Sequence, residues 1–147
     1  MNGEAWSFEY SIECPVSREF AWQFWTDVRN WKLDADVEAI EMGGEFREGA
    51  AGATISRSSG RIEWRVGEMN PGHAAVIEFP LPGASGRFDW RFEDSGGGTR
   101  ITQRASLRGE RAAAFVGAVT SALEAGIPAG MQKLCDSMAK AASNNSA

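Results

Sequence analysis

The order of the patterns along this chain constrains its fold more than any single motif. A short aromatic-rich helical segment lies near the N-terminus, a run of alternating strands follows, and one long Ala-rich helix closes the 147 residues. The turns between successive strands are too short for crossover connections, so neighbouring strands are expected to pair antiparallel. The pattern therefore predicts an α+β fold, in which about seven strands form a curved antiparallel sheet and the long helix lies over its concave face.

The N-terminal segment reads as a strand followed by two short helices. Apolar residues alternate with polar ones from Trp6 to Ile12, which is the period of a strand with one buried face. Pro15 ends this strand, and Ser17 is placed to cap a helix that runs through Trp25. A second short helical turn is expected to follow. Both helices are too short to be stable alone, so they must pack against the sheet.

Six further strands are predicted between residues 37 and 108. Turn residues separate them, including Asn70-Pro71-Gly72 and residues 80–83, which are expected to end a strand. The last two strands form the clearest hairpin, because apolar and polar residues alternate on both sides of residues 95–98. The predicted strands are 37–42, 53–57, 62–68, 74–79, 87–93 and 101–108.

The C-terminal helix is predicted over residues 110–142, where apolar residues recur at three- and four-residue steps. A straight helix of this length would measure roughly 50 Å, which is longer than the domain. Pro128 follows Gly126 and Ile127 in its interior and cannot donate a hydrogen bond to the carbonyl of Glu124. The sequence therefore predicts a bend or a break in the helix near Gly126.

A single helix laid on a curved sheet leaves space beneath it, so an internal ligand cavity is expected between the two. The inward strand faces and the helix are rich in aromatic residues, which either line this cavity or form ordinary core. Three polar residues are also expected to face inward by alternation. Arg57 stands at a strand end, where its stem can instead carry the guanidinium to solvent. The predicted cavity residues are Tyr10, Arg57, Trp64, Phe79, Phe88, Trp90, Gln103, Phe115 and Met131.

Gln103 is the strongest polar candidate, because it lies in the middle of a strand and needs hydrogen-bond partners if it is buried. Its alternative role is structural, with the amide bonded to helix backbone or to water. Tyr10 and Arg57 could act with it: an arginine in such a space binds a carboxylate or polarises a carbonyl.

Charge and composition exclude several classes of function. The net charge is −5, and the 15 basic residues do not form a stripe, so nucleic acid is not an expected partner. One histidine and two distant cysteines do not provide a metal site, and no cofactor is predicted. Cys14 and Cys135 are expected to be reduced and structural. An acidic group near the small helices (Asp34, Asp36, Glu38 and Glu41) is expected to be a solvated face.

The sequence predicts one cytoplasmic domain, residues 1–147, with an ordered core over about 4–142. The first residues contain neither a basic region nor an apolar run, so no secretory signal is expected. No stretch is expected to supply the ~18 to 20 apolar residues of a spanning helix, so membrane insertion is not predicted either.

Several short motifs, taken in order, resemble a known family. They are Trp25-Thr-Asp-Val-Arg-Asn-Trp31, Gly49 to Gly52 after Phe46, Glu68-Met-Asn-Pro-Gly72, Leu81-Pro-Gly-Ala84 and Gly97-Gly-Thr-Arg-Ile-Thr-Gln-Arg104. Together they resemble the START-like or Bet v 1-like (SRPBCC) superfamily, and within it the bacterial polyketide cyclase/dehydrase and lipid transport group. The resemblance covers nearly the whole chain and implies a helix-grip fold. Many relatives carry His where Gln103 stands, so an acid-base role for this position is in doubt.

Three functions follow from these observations. The first is the binding of a small hydrophobic, aromatic or lipid-like molecule in the cavity, because the inner surface is aromatic and has few titratable groups. The second is an enzyme similar to polyketide cyclases and dehydratases, in which Arg57, Tyr10 and Gln103 would orient a polyketone and stabilise enolate charge. The third is a protein-interaction module that uses the acidic outer face.

Overall fold

The computed structural model of the protein describes residues 4–33, 37–42, 44–57 and 60–145. Seven strands form one antiparallel sheet in the order β1-β7-β6-β5-β4-β3-β2. The predicted α+β helix-grip architecture is therefore confirmed. The elements are β1 (Glu4–Cys14), α1 (Arg18–Thr26), a 3-10 helix (Val28–Leu33), β2 (Val37–Met42), β3 (Ala51–Ser56), β4 (Gly60–Asn70), β5 (Ala74–Leu81), β6 (Ala84–Ser95), β7 (Gly98–Arg108) and α2 (Ala113–Asn145).

The local signals at the start of α1 form as expected. Ser17 has an extended backbone, and its Oγ accepts a hydrogen bond from the Phe20 amide at 3.1 Å. This bond satisfies one of the amides that the first helical turn leaves without a partner. Ala21 and Trp25 are buried against the sheet. Packing of these residues, rather than helix propensity, stabilises so short a helix.

Strand β5 differs from its prediction, because it continues through Pro80 to Leu81 instead of ending at Phe79. The pairing between β4 and β5 stops at Arg65 and Glu78, whereas Pro80 still pairs with Ser85 of β6. The missing amide hydrogen of Pro80 therefore removes no bond to β4. A proline is tolerated in a strand where one neighbour has already diverged.

Helix α2 runs unbroken across Pro128, so the predicted break is wrong, and the bend stays a prediction. Pro128 deprives the Glu124 carbonyl of its usual partner. Glu124 and Gly126 are both exposed, so water can take the place of that partner. The carbonyl that Pro128 leaves without a backbone donor therefore faces solvent, which reduces the free-energy cost of the proline.

The direction of α2 is set by contacts near its two ends. Just before the helix, the Arg111 amide donates to the carbonyl of Gly83, in the turn before β6. Near the other end, the Cys135 thiol lies 3.5 Å from the carbonyl of Glu13, at the end of β1. Strand β7 ends beside the start of β1, so α2 runs along the β1 side of the sheet in the direction of β1. Its first half, residues 113–126, therefore lies toward the Trp6 end of that strand.

Candidate ligand-binding site on the inner face

We call the face of the sheet that contacts α1 and α2 the inner face. Its register places short side chains of β7 between aromatic side chains of both neighbouring strands. Gln103 pairs with Tyr10 on β1 and with Trp90 on β6, and Ala105 pairs with Phe8 and Phe88 in the same way. Paired residues have their Cβ atoms about 5 Å apart, so the aromatic rings stand on both sides of the shorter residues. We call this set the β7 groove: Phe8, Tyr10, Phe88, Trp90, Gln103 and Ala105.

The floor of the β7 groove contains a side-chain amide without a protein partner. Gln103 is 8% exposed, and its side chain makes no hydrogen bond within the described part of the chain. The hydroxyl of Tyr10, its neighbour across β1, likewise has no partner among those residues. The side-chain polar atoms enclosed without a partner in the described chain are Ser106 Oγ and Thr120 Oγ1, so the unpaired Gln103 amide is instead open to water or to a ligand in the groove. Of the structural partners predicted for Gln103, helix backbone forms no hydrogen bond with it in the described chain, and bonding to water stays a prediction.

The first half of α2 lies over this end of the sheet without sealing it. None of residues 113–126, all of which the structure describes, is buried. The half-buried positions fall on one stripe: Phe115, Val116, Val119, Thr120 and Leu123. The Oγ1 atom of Thr120 on this stripe is itself buried and has no partner in the described chain. This half of the helix therefore leaves its apolar side chains half-exposed and one enclosed hydroxyl unpaired.

Phe79 and Trp64 lie flat on the sheet because each is paired with a glycine. Phe79 pairs with Gly86, and Trp64 pairs with Gly52. A Cβ atom on either glycine would overlap the facing ring, so only glycine allows the ring to lie across the neighbouring strand. Phe79 also stacks on Phe88, with ring centroids 5.2 Å apart. The Phe79 ring thereby extends the aromatic surface on the β6 side of the groove.

Two predicted cavity residues belong to a closed aromatic cluster beneath α1. Trp90 contacts Trp25 at 5.0 Å between ring centroids, and Trp64 contacts Trp31 at the same distance. The Trp64 indole also donates to the Thr54 hydroxyl at 3.1 Å. Side chains therefore fill the inner face under α1, and Trp64 serves there as core. Trp90 has both roles by position, because it borders Gln103 as well.

Met131 and Arg57 lie outside the β7 groove. Met131 is 2% exposed and belongs to the core between α2 and the sheet. Arg57 follows the last residue of β3, its side chain is 56% exposed, and its Nη1 lies 3.3 Å from a carboxylate oxygen of Glu38. The structure thus does not place Arg57 on the inner face. The strand ends at Ser56, so alternation no longer controls where the next side chain points.

Two cavities of about 770 and 620 Å³ lie against the sheet, and outward-facing residues dominate the lining of both. Trp64 and Phe79 border the first and Trp90 borders the second, although the register turns their side chains toward the inner face. The ion pairs of Arg61 with Glu41 and of Arg65 with Glu78 line the first cavity. These are polar surface grooves, distinct from the predicted internal cavity.

The described members of the acidic group near the small helices form ion pairs with arginines. Glu38 and Glu41 pair with Arg57 and Arg61, while Asp34 and Asp36 lie outside the described residues. Across the described part of the chain, no three His, Cys, Asp or Glu side chains are grouped so as to hold a metal ion.

The two cysteines, distant in sequence, meet between β1 and α2. Both are free and buried, with Cys14 2% and Cys135 4% exposed. Burial, followed by the hydrogen bond with Cys135, raises the pKa of the Cys14 thiol far above its ordinary value of 9.0. Both thiols therefore pack as small apolar groups.

Comparison with known proteins supports this architecture. Residues 5–143 match the model of a family described as polyketide cyclase / dehydrase and lipid transport. The chain belongs to this family. No curated protein matches the sequence. The predicted membership of the Bet v 1-like superfamily is thus confirmed, and family and fold are consistent with the binding of a hydrophobic ligand.

Solved structures share the fold at low sequence identity. Ara h 8.0201 is 13% identical, with a TM-score of 0.74 over 90% of this chain and 97% of that one. Norcoclaurine synthase from Thalictrum flavum, solved with dopamine and hydroxybenzaldehyde, is 12% identical, with a TM-score of 0.71 over 92% and 87%. The Mll3558 protein from Rhizobium loti is 20% identical, with a TM-score of 0.67 over 89% and 95%.

The prediction that no segment could span a membrane is wrong for helix α2. By length and composition, residues Ala113–Asn144 could cross a membrane, contrary to the expectation that no stretch is apolar enough. In the structure the second half of this helix is packed into the protein, with Ile127, Met131, Leu134, Cys135 and Met138 all buried. This half of the helix is therefore part of the core of the domain.

The sequence did not single out Phe8, Ala105, Gly86 or Thr120 as parts of the site. Alternation with Tyr10 placed Phe8 on the inner face, and alternation with Gln103 placed Ala105 there. Only the pairing of β7 with both β1 and β6 shows that the small Ala105 stands between two phenylalanines. The pairing of β7 with β1 joins residues about 100 positions apart, which local patterns do not report.

Proposed function

We propose that this protein binds a small apolar or aromatic molecule in the β7 groove, between the sheet and the first half of α2. The observation that carries the proposal is the Gln103 amide, which lies on the groove floor without a protein partner and is open to the groove. A ligand that covers this amide must hydrogen-bond to it, because the amide would otherwise lose its contact with water. The aromatic rings on both sides supply the apolar contact area that small-ligand sites require.

The packing of α2 supports the same conclusion. Its second half is fixed in the core, whereas the half that lies toward the groove buries none of its residues. A ligand in the groove would complete the apolar packing of Phe115, Val119 and Leu123. Norcoclaurine synthase, which shares the fold, was solved with small aromatic molecules. Such ligands therefore fit at least one protein of this architecture.

The test is a titration with N-phenyl-1-naphthylamine, a neutral dye whose fluorescence rises in apolar surroundings. We expect saturable, one-site binding by the wild-type protein. Ala105→Leu adds bulk to the groove floor, where Ala105 is 1% exposed, and we expect it to weaken binding at least about tenfold. Ala118→Leu adds the same atoms at an exposed position of α2 and serves as the matched control.

Circular dichroism and urea denaturation establish whether Ala105→Leu is folded before its affinity is interpreted. If it fails to fold, Phe88→Ala replaces it, because this change removes one wall of the groove and leaves the floor intact. Saturable binding that neither variant weakens would place the ligand elsewhere and contradict the proposal. The absence of any dye binding by the wild-type protein would also contradict it.

The structure does not favour the enzyme hypothesis. The predicted catalytic arrangement needed Arg57 beside Tyr10 and Gln103, but Arg57 is exposed and ion-paired with Glu38. Tyr10 and Gln103 remain neighbours across β1 and β7. Without the cation, the groove lacks the charge that would stabilise an enolate. Binding is therefore the function we propose.

A further inference from the structure

The β7 groove and the rows of inner-face residues next to it carry no charge. Four rows of paired residues cross β1, β7 and β6 on this face, and each member is apolar or a neutral polar residue. The half-buried stripe of α2 is uncharged as well. The rows are Ile12-Ile101-Phe92, Tyr10-Gln103-Trp90, Phe8-Ala105-Phe88 and Trp6-Leu107-Gly86.

A charged ligand would lose its hydration in this groove and meet no counter-ion. The transfer of an unpaired charge to such surroundings is far more costly than the transfer of a neutral polar group. The arginines nearest in sequence, Arg87, Arg91 and Arg104, occupy outward-facing positions of β6 and β7. A carboxylate or a phosphate is therefore excluded by the chemistry of the groove.

Polar atoms are nevertheless present at defined points in these apolar surroundings. The Gln103 amide offers both a donor and an acceptor, and the Tyr10 hydroxyl next to it offers the same. The buried Thr120 hydroxyl on α2 also lacks a partner in the described chain. A fully apolar ligand would leave these groups unpaired and would lose the associated free energy.

We propose that the ligand is a neutral aromatic or polycyclic molecule with a hydroxyl or carbonyl group, and that Gln103 hydrogen-bonds to this group. Tyr10 lies beside Gln103 and offers a second hydrogen bond. The inference rests on the proposed binding function and adds the ligand class and the residue that selects it. Aromatic rings of the ligand lie between Phe8 and Phe88, and its polar group points along β7 toward Gln103.

Three ligands of nearly equal shape test the inference: naphthalene, 2-naphthol and 2-naphthoate. Each displaces N-phenyl-1-naphthylamine, so the same assay gives three dissociation constants. For the wild-type protein we expect 2-naphthol to bind about 3- to 10-fold more tightly than naphthalene, the effect of one net hydrogen bond. We expect 2-naphthoate to bind at least about tenfold more weakly than 2-naphthol.

The variant Gln103→Leu removes the amide and keeps most of the volume. In this variant we expect the ratio of the naphthalene and 2-naphthol dissociation constants to fall to about 1. Tyr10→Phe removes only the hydroxyl and should reduce the ratio by a smaller factor. Gln132→Leu makes the same replacement as Gln103→Leu at an exposed position of α2, so its ratio should equal that of the wild-type protein.

The possible failures are distinguishable. If the dye binds but the three naphthalene compounds have equal affinity, the groove binds ligands without selecting a polar group, and the ligand class proposed here is wrong. If 2-naphthoate binds most tightly, or if Gln103→Leu keeps the preference for 2-naphthol, the inference is also overturned. If the wild-type protein does not bind the dye, the proposed function fails, and this inference fails with it.

Discussion

The two halves of helix α2 follow the same strand of the sheet but differ in how they are packed. From Ile127 onward the helix buries five large apolar or thiol side chains, of which Met138 is 0% exposed. Residues 113–126 include Phe115, Val119 and Leu123, yet none of them is buried. Both halves are apolar, so composition does not account for the difference. The second half meets a filled core, whereas the first half lies toward the β7 groove.

This contrast shows how one helix can serve two purposes. The second half anchors α2, because its buried side chains belong to the core cluster and the Cys135 thiol lies against the Glu13 carbonyl of β1. Because the anchor is strong, the first half does not need to be fully packed for the helix to stay in place. Regions with few buried contacts open at lower free energy than the core does. Entry of the proposed ligand beneath residues 113–126 would therefore not require unfolding of the domain.

The largest expected effect on stability comes from a substitution in the buried second half of α2. Met138→Ala creates a cavity in the core and should lower the free energy of unfolding by about 2–5 kcal/mol. Leu123→Ala removes a half-buried side chain from the first half and should cost about 1 kcal/mol. Urea denaturation of both variants measures the difference. Equal losses would remove the distinction between the two halves.

The next effect tests the glycine beneath Phe79. Gly86→Ala places a Cβ in the volume that the Phe79 ring occupies and displaces the ring from the sheet. We expect a loss of about 1–3 kcal/mol in stability and weaker binding of N-phenyl-1-naphthylamine. Gly117→Ala is the control, since no atom lies within 4 Å of its Cβ, and it should stabilise α2 by up to ~1 kcal/mol. Unchanged dye binding in a folded Gly86→Ala protein would argue against a site beside this ring.

The buried thiols of Cys14 and Cys135, beside the second half of α2, predict that the stability of the protein depends on pH. The pKa of Cys14 is raised in the folded state, so above its ordinary value of 9.0 the unfolded chain releases a proton that the folded chain retains. Stability from this group is complete below pH 9 and decreases as the pH rises, by up to about 1.4 kcal/mol per pH unit. Denaturation of the wild-type and Cys14→Ala proteins between pH 8 and 11 measures this slope. The variant should show a shallower decline, and parallel curves would contradict the prediction.

A substitution in the first half of α2 should affect ligand binding more than it affects the stability of the protein. Phe115→Ala removes a half-buried ring from the stripe that lies toward the groove. We expect the dissociation constant of N-phenyl-1-naphthylamine to rise about 3- to 10-fold, while the free energy of unfolding changes by about 1 kcal/mol or less. Dye titration and denaturation of the same sample provide both numbers. A large loss of stability with unchanged binding would reverse the assignment of this residue.

The smallest effect is expected at Arg57. Its ion pair with Glu38 joins two side chains that are each more than half exposed, and such pairs contribute little. Arg57→Ala should change the free energy of unfolding by about 0.5 kcal/mol or less and leave dye binding unaltered. A tenfold loss of binding would return Arg57 to the site, contrary to its position in the structure.

Much of the fold could be predicted because its signals are local. Alternation from Trp6 to Ile12 and from Phe88 to Phe92 gave the correct inner faces, and Ser17 gave the start of α1. The candidate site was predicted less well. Tyr10, Phe88 and Gln103 do share the inner face, but Trp64 and Met131 are core, and Arg57 lies beyond the end of its strand. Side-chain alternation indicates the face of the sheet on which a residue lies. It does not indicate which residues of other elements pack against that residue.

The sequence by itself determined the element order, the apolar face of each strand and membership of the family, because these depend on residues close together in the chain. Only the tertiary structure decided that Gln103 is buried without a partner, that Cys14 meets Cys135, and that α2 is anchored by its second half. Each of these depends on register or packing between distant segments. The physical reason is that the burial and hydrogen bonding of a side chain depend on the residues around it in the folded protein. These residues come together only after distant segments such as β1 and β7 have paired.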